Sequence, residues 1–131
     1  MMNLSNKLFR FSVFSGLQLR VLVQIRRSVN VWVQEKGFIK PLPTVEEIAA
    51  DIGIPMACLN VYIRLRRHVP VLTWRKKLRI REAQRLLLVY PDLPVAVIGE
   101  MVGIDDKSNF KRQFAEEVGV PPKAWRDRHV K

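Results

Sequence analysis

The strongest constraint on the fold is a pattern of residues that occurs twice in this chain. Its most specific part is Val-Pro-x-x-x-Trp-Arg, which ends at Arg75 in the first copy and at Arg126 in the second. The chain has three Trp residues, so two of them in one local context are hard to obtain by chance. The other matched positions are mostly apolar or glycine: Ile48, Gly53, Ile54, Leu59, Ile63, Val69, Pro70 and Trp74 correspond to Ile98, Gly103, Ile104, Phe110, Phe114, Val120, Pro121 and Trp125. The sequence therefore predicts two copies of one structural unit.

Each copy has the plan of a short helix, a turn that contains glycine, and a second helix. In the first copy, Thr44 and Glu47 form a capping-box pattern and Gly53 ends the first helix. A second helix is expected from about Pro55, because proline is tolerated in a first turn. No alternating pattern with hairpin turns predicts a strand. The predicted fold class is therefore all-α, with two helix-turn-helix subdomains whose second helices could enter a major groove.

The two copies are joined by a basic segment that is predicted to be one long helix over 72–90. Its inner face is formed by Trp74, Leu78, Ala83, Leu86 and Leu87. About 19 residues at a rise of about 1.5 Å span roughly 28 Å. Half-sites on one face of DNA lie roughly 34 Å apart, so a helical connector of this length could hold two readers in adjacent grooves. The predicted organisation is an N-terminal arm over 1–41 with one amphipathic helix at about 20–36, a first unit over 42–71, the connecting helix over 72–92 and a second unit over 93–131.

The net charge of +11 indicates a polyanionic partner, and it is unevenly placed. The arm carries +6 and the connecting segment +4, whereas the two units carry 0 and +1. Two His and one Cys are too few for a metal site or an internal disulfide. We find no catalytic constellation, no phosphate loop and no apolar run of membrane-spanning length. We therefore expect a cytoplasmic protein that is not an enzyme and has no cofactor and no membrane partner.

Residues 42–126 resemble the double helix-turn-helix DNA-binding domain of the AraC/XylS family of bacterial transcription regulators. The most specific stretches are Leu78-Arg-Ile-Arg-Glu-Ala-Gln-Arg-Leu-Leu87, which is similar to the connecting helix of the family, and Val102 to Phe114 with Val120-Pro-Pro122 and Trp125-Arg126, which are similar to its C-terminal signature. The resemblance implies a tandem, homeodomain-like fold that binds double-stranded DNA specifically and regulates transcription. Family members usually carry an effector domain, and this chain has no recognisable one.

The resemblance places the reading helix of the second unit at about 106–117. Its outward cations and hydroxyl suit the hydrogen-bonding edges of bases in the major groove. In the first unit the matching positions are Ala57, Asn60 and Val61, of which only Asn60 can read a base edge, most naturally adenine. The predicted base-reading residues are Lys107, Ser108, Lys111, Arg112 and Asn60, and the predicted DNA-backbone contacts are Arg64, Arg67, Lys76 and Arg126.

Four questions stay open at the level of sequence. The helix at about 20–36 packs either against the first unit or against a second copy, which would make a homodimer. RNA polymerase is a candidate further partner. The apolar reading face of the first unit also motivates an alternative function, a protein-interaction or dimerisation module with a degenerate DNA-reading surface. RNA binding is a weaker alternative, since the chain lacks the motifs of common RNA modules.

Overall fold

A computed structural model of the chain describes the backbone of residues 4–130 and the side chains of residues 19–130. This part of the chain contains α-helices and one turn of 3₁₀ helix, Gly37–Ile39, and no strand. The all-α prediction is confirmed. The helices are α1 Leu4–Gln34, α2 Val45–Ile52, α3 Met56–Arg67, α4 Val71–Val89, α5 Val95–Met101, α6 Lys107–Val118 and α7 Pro122–His129.

The predicted capping box is formed at the start of α2, and a side-chain cap is also present at the start of α6. The backbone N–H of Glu47 donates to Thr44 Oγ1 at 3.2 Å, and the N–H of Thr44 donates to Glu47 Oε2 at 3.1 Å, so both bonds of the capping box are formed. The N–H of Asn109 donates to Asp106 Oδ1 at 2.6 Å at the start of α6. The connecting helix α4 begins and ends one residue earlier than predicted. Local sequence chemistry thus decides where these helices begin.

The arm contributes to the core of the first unit. Ile25, Val29, Trp32 and Phe38 are buried together with residues of α2, α3 and the start of α4. The rings of Trp32 and Trp74 stack with centroids 5.6 Å apart. The helix predicted at about 20–36 is therefore part of a longer helix, α1, whose second half packs against the first unit. The core of that unit begins well before residue 42.

Helix α4 belongs to two cores. Val71 and Trp74 are buried in the first core, whereas Ile80, Ala83 and Leu87 are buried in the second. Helix α7 follows Pro121 as α4 follows Pro70, so each unit has three helices instead of the two that the repeat predicts. The first turns of α4 are the third helix of the first unit.

The repeated Trp-Arg pair has a common structural role. Arg75 Nη1 donates to the carbonyl of Leu42, and Arg126 Nη1 donates to the carbonyl of Leu93 at 2.6 Å. Both bonds join residues that are 33 positions apart. Each arginine ties the third helix of its unit to the segment that precedes the first helix. The repeat therefore preserves a tertiary hydrogen bond as well as an apolar pattern.

Replacing His68 with glycine is expected to stabilise the protein by about 1 kcal/mol, because a left-handed conformation strains any residue with a Cβ. His68 ends α3 with φ 61°, and the matching residue of the second unit, Gly119, has φ 96°. The opposite kind of change, Gly119→Ala, should destabilise the protein by a similar amount because of the left-handed φ. Its added Cβ would meet no atom within 4 Å, so no steric clash adds to this cost. Urea denaturation of both variants measures this. Changes of the same sign would contradict the strain explanation.

Acid is expected to weaken the contact between α1 and α2. Asp51 Oδ2 accepts hydrogen bonds from Lys40 Nζ at 3.0 Å and from Trp32 Nε1 at 2.8 Å. These bonds, the one from Lys40 first, lower the pKa of Asp51 below its ordinary value against a smaller effect of desolvation. The contribution of the carboxylate to stability is therefore complete above the unfolded pKa, about 3.9, and is lost as the pH falls through the lower folded pKa.

The variant Asp51→Asn isolates this effect. Its free energy of unfolding should fall less than that of the unmodified protein between pH 6 and pH 3, because the titrating group is gone while the other carboxylates remain. Denaturation curves across that range measure the difference. Equal pH dependence of the two proteins would contradict the prediction.

Candidate nucleic-acid interface

Helix α6 has one buried and one exposed face. Phe110 and Phe114 have no exposed surface, and their rings lie edge to face with centroids 6.0 Å apart. The two rings fix the rotation of α6 against the second core. The four predicted base-reading residues of this unit, Lys107, Ser108, Lys111 and Arg112, are all exposed to solvent. At about 100° per residue, Ser108 and Arg112 lie opposite the two rings, Lys111 lies at the edge of that face, and Lys107 lies in the first turn on the side of Phe114.

The side chain of Arg112 is held along α6 by two neighbours that sequence reasoning missed. Arg112 Nη2 donates to Asn109 Oδ1 at 2.5 Å, and Arg112 Nη1 lies 3.7 Å from Glu116 Oε1. Both partners are one helical turn away, so the i, i+3 and i, i+4 spacing could have indicated them. The side chains of Arg112 and Glu116 are 65% and 54% exposed. Exposed pairs of this kind contribute roughly 0–1 kcal/mol, so they orient the guanidinium without preventing its exchange to another acceptor.

Helix α3 presents a different surface in the first unit. Leu59 and Ile63 are buried, whereas Ala57, Asn60 and Val61 are exposed. Val61 is 59% exposed, so this outer face is largely apolar around a single amide. It offers shape and methyl contacts more than hydrogen bonds.

The four predicted backbone contacts occupy unlike positions. Arg64 and Arg67 are exposed at the end of α3, and Lys76 is half-buried on α4. Arg126 is half-buried and its guanidinium is directed toward the carbonyl of Leu93. The structure thus places Arg126 in an internal contact instead of on an open surface.

Arg79 links the arm, α4 and the second unit, and it was not predicted. Its Nε donates to the carbonyl of Phe38 at 2.6 Å, its Nη2 to that of Lys40 at 2.9 Å and its Nη1 to that of Gly103 at 3.3 Å. Burial lowers the pKa of Arg79 to about 10, with a further decrease from the charge of Arg75. The group is still protonated at neutral pH, so it donates to all three carbonyls as a cation.

The turn of the second helix-turn-helix approaches the arm closely. Gly103 has φ 86°, and a Cβ at this residue would lie 2.4 Å from the carbonyl oxygen of Ile39. Arg79 and this close approach fix the second unit relative to the arm and the first core. The two exposed helix faces are therefore held in one relative orientation.

Other kinds of site find no support in the part of the chain that the structure describes. No group of three or more His, Cys, Asp or Glu side chains lies close enough to hold a metal ion there. No single helix in that part is long and apolar enough to cross a membrane. The pair α2 and α3, which is bent by 95°, has the length and composition of a membrane span only when the two helices are taken together.

Two helix-turn-helix units that share a helix define a tandem helix-turn-helix protein. A sequence model described as a helix-turn-helix domain matches residues 48–128. The chain belongs to this family, in its AraC type. It is 32% identical over 82 residues to the arabinose operon regulatory proteins of Salmonella typhimurium and of Escherichia coli. These residues are 63% of this chain but 29% and 28% of the two relatives, so the chain spans less than a third of their length.

Solved structures show the same fold. The C-terminal domain of AraT, a response regulator from Geobacillus stearothermophilus, is 26% identical with a TM-score of 0.70, and the match covers 82% of this chain and 86% of that domain. The DNA-binding domain of AdpA, a global transcriptional factor solved in complex with a target DNA, is 21% identical with a TM-score of 0.67. That match covers 80% of this chain and 91% of the AdpA domain. The resemblance to the AraC/XylS family is therefore confirmed.

Proposed function

We propose that this protein binds double-stranded DNA in a sequence-specific manner and regulates transcription. The observation that carries the proposal is the exposed surface of α6, where Arg112 and Ser108 lie opposite two fully buried phenylalanines and two exposed lysines, Lys107 and Lys111, lie beside them. A helix with a fixed rotation and one cationic polar face has the chemistry of a major-groove reader. Membership of the AraC-type helix-turn-helix family supports the same function. The two relatives are arabinose operon regulatory proteins, which supports a role for this protein in controlling an operon.

The two units read DNA by different means in this proposal. Lys107, Lys111 and Arg112 donate to guanine O6 and N7, and Ser108 donates to or accepts from either kind of base. Asn60 pairs with adenine in the half-site of the first unit, where Ala57 and Val61 contact thymine methyl groups. The first half-site is therefore A·T-rich, and specificity there depends more on shape than in the second.

The backbone contacts supply affinity without sequence information. We assign Arg64, Arg67 and Lys76 to phosphates. Arg126 was also expected at a phosphate, but its bond to the carbonyl of Leu93 supports a role in holding α7 to the start of the second unit.

The proposed partners beyond DNA are RNA polymerase and a second copy of the chain. Exposed apolar residues on α1, among them Leu19, Leu22 and Val23, support a homodimer through this helix. Cytoplasmic localisation follows from the proposed function.

Binding to randomised duplexes at several salt concentrations tests the proposal, with the variants Arg112→Ala and Lys76→Ala. Arg112→Ala should weaken binding to the preferred sequence by about 1–3 kcal/mol, roughly 5-fold to 150-fold, and relax the preference at one base pair. Lys76→Ala should weaken all sequences alike and lower the salt slope by about 1. Arg20→Ala, which removes an exposed cation on α1, is the matched control. If both variants bind as the control does, the proposed docking of α6 and α4 is wrong.

A further inference from the structure

A cleft of 230 Å³ lies between α1, α3 and α4, and Arg67 is the one residue of its rim that is also assigned to DNA. Each of the three helices contributes a stripe of residues at helical spacing. Its floor includes Val29, Ile63 and Trp74, which are buried in the first core. A rigid floor of this kind means that the cleft is a preformed feature of the first unit and does not depend on a surface loop.

The rim of the cleft carries an unbalanced positive charge. Four exposed arginines line it, Arg26 from α1, Arg66 and Arg67 from α3 and Arg81 from α4. Within residues 19–130, no carboxylate lies within 4.0 Å of these guanidinium groups, and no carboxylate lines the cleft. Like charges on one concave rim repel one another and concentrate a positive potential that attracts anions. The nearest acid in the sequence, Glu82, pairs instead with Lys36 and Arg85.

The position of the cleft separates it from the reading face of α3. At about 100° per residue, Arg64 and Val61 lie about 40° and 100° around the helix from Asn60. Tyr62 and Arg66, which line the cleft, lie about 200° and 240° from Asn60. DNA that contacts Asn60 and Val61 therefore leaves Arg66 on the far side of α3, whereas Arg67 lies only about 20° from Asn60 and faces the duplex. Ordinary phosphate contact with the same duplex does not account for the cleft as a whole.

We infer that this cleft is a binding site for a small polyanion, a ligand with two or more phosphate or carboxylate groups. Guanidinium groups bind both kinds of anion through paired N–H donors. The volume suits a compact anion and is too small for a macromolecule. Asn30 and Tyr62 add polar groups and an aromatic edge beside the guanidiniums. The ligand would occupy the first unit without covering its reading face.

Calorimetric titration of the full chain with pyrophosphate and, separately, with citrate tests the inference. Saturable binding of one equivalent is expected. The probe that binds with the higher affinity shows whether phosphate or carboxylate is preferred. The double variant Arg26→Gln with Arg81→Gln should lose at least tenfold in affinity. The matched control is Arg20→Gln with Arg27→Gln, which removes two exposed cations of α1 outside the cleft and should change affinity less than twofold.

Three results would overturn the inference. The first is the absence of saturable binding, and the second is an equal loss of binding in the two double variants. The third is a loss of duplex DNA affinity in the cleft variant that exceeds the loss in the control, since the arginines would then belong to the DNA surface. The titration contains no DNA, so it can succeed or fail independently of the proposed function.

Discussion

Replacing Gly103 with alanine is expected to lower the free energy of unfolding by about 2–4 kcal/mol. The added Cβ would lie 2.4 Å from the carbonyl oxygen of Ile39, which is backbone and cannot rotate away. Overpacking of this kind costs about 1–3 kcal/mol, and the left-handed φ of 86° adds about 1 kcal/mol. Urea denaturation measures the change.

The repeat supplies the control for this substitution. Gly53 is the matching residue of the first unit, with φ 92° and no atom within 4 Å of an added Cβ. Gly53→Ala should therefore cost only the conformational part, about 1 kcal/mol. If the two variants are equally stable, the close approach between the arm and the second unit does not constrain the protein.

Truncating Arg79 to alanine is expected to destabilise the protein by about 3 kcal/mol. Three carbonyls, of Phe38, Lys40 and Gly103, would lose a charged donor. A hydrogen bond to a charged group contributes about 1.5–3 kcal/mol net, and the total stays near the upper value for one bond because the bond to Lys40 is exposed and the bond to Gly103 is long. Arg79→Lys should recover less than half of the loss, because an ammonium cannot direct donors to three carbonyls in the geometry of a guanidinium.

The control for Arg79 is Arg81→Ala, two residues along the same helix. Arg81 is exposed, so its removal should change stability by less than about 0.5 kcal/mol. A loss in Arg79→Ala no larger than in Arg81→Ala would contradict the role of Arg79 as the link between the units. A double-mutant cycle of Arg79→Ala and Gly103→Ala should show non-additive changes in the free energy of unfolding, since Arg79 donates to the carbonyl of Gly103.

Much of the fold is predictable because its signals are local. The box of Thr44 and Glu47 depends on residues three positions apart and is formed as the sequence indicates, and the cap of α6 by Asp106 has the same local spacing. The exposed face of α6 follows from the spacing of Phe110 and Phe114 in the same way. Such features need no knowledge of the rest of the chain.

The contacts that orient the units are not predictable in this way. Arg79 reaches carbonyls that are 24, 39 and 41 positions away, and any residue type can supply a backbone carbonyl. Gly99 is another example: in sequence it is a weak helix residue, but an added Cβ would lie 2.8 Å from the ring of Phe110. The hydrogen bond of Arg126 is partly predictable. The repeat indicates that the arginine has a structural role, but it does not identify the acceptor, the carbonyl of Leu93.

The shared helix α4 has a consequence for how the molecule comes apart. Trp74 belongs to one core and Ile80 to the other, on a single helix without a break between them. The two cores pack on successive turns of this one continuous helix, so a cut within it would break an element on which both units depend. Losing either core exposes apolar surface of α4 that the other core alone cannot cover. The chain should therefore melt in one cooperative transition, in contrast to the two steps expected of two domains on a flexible tether.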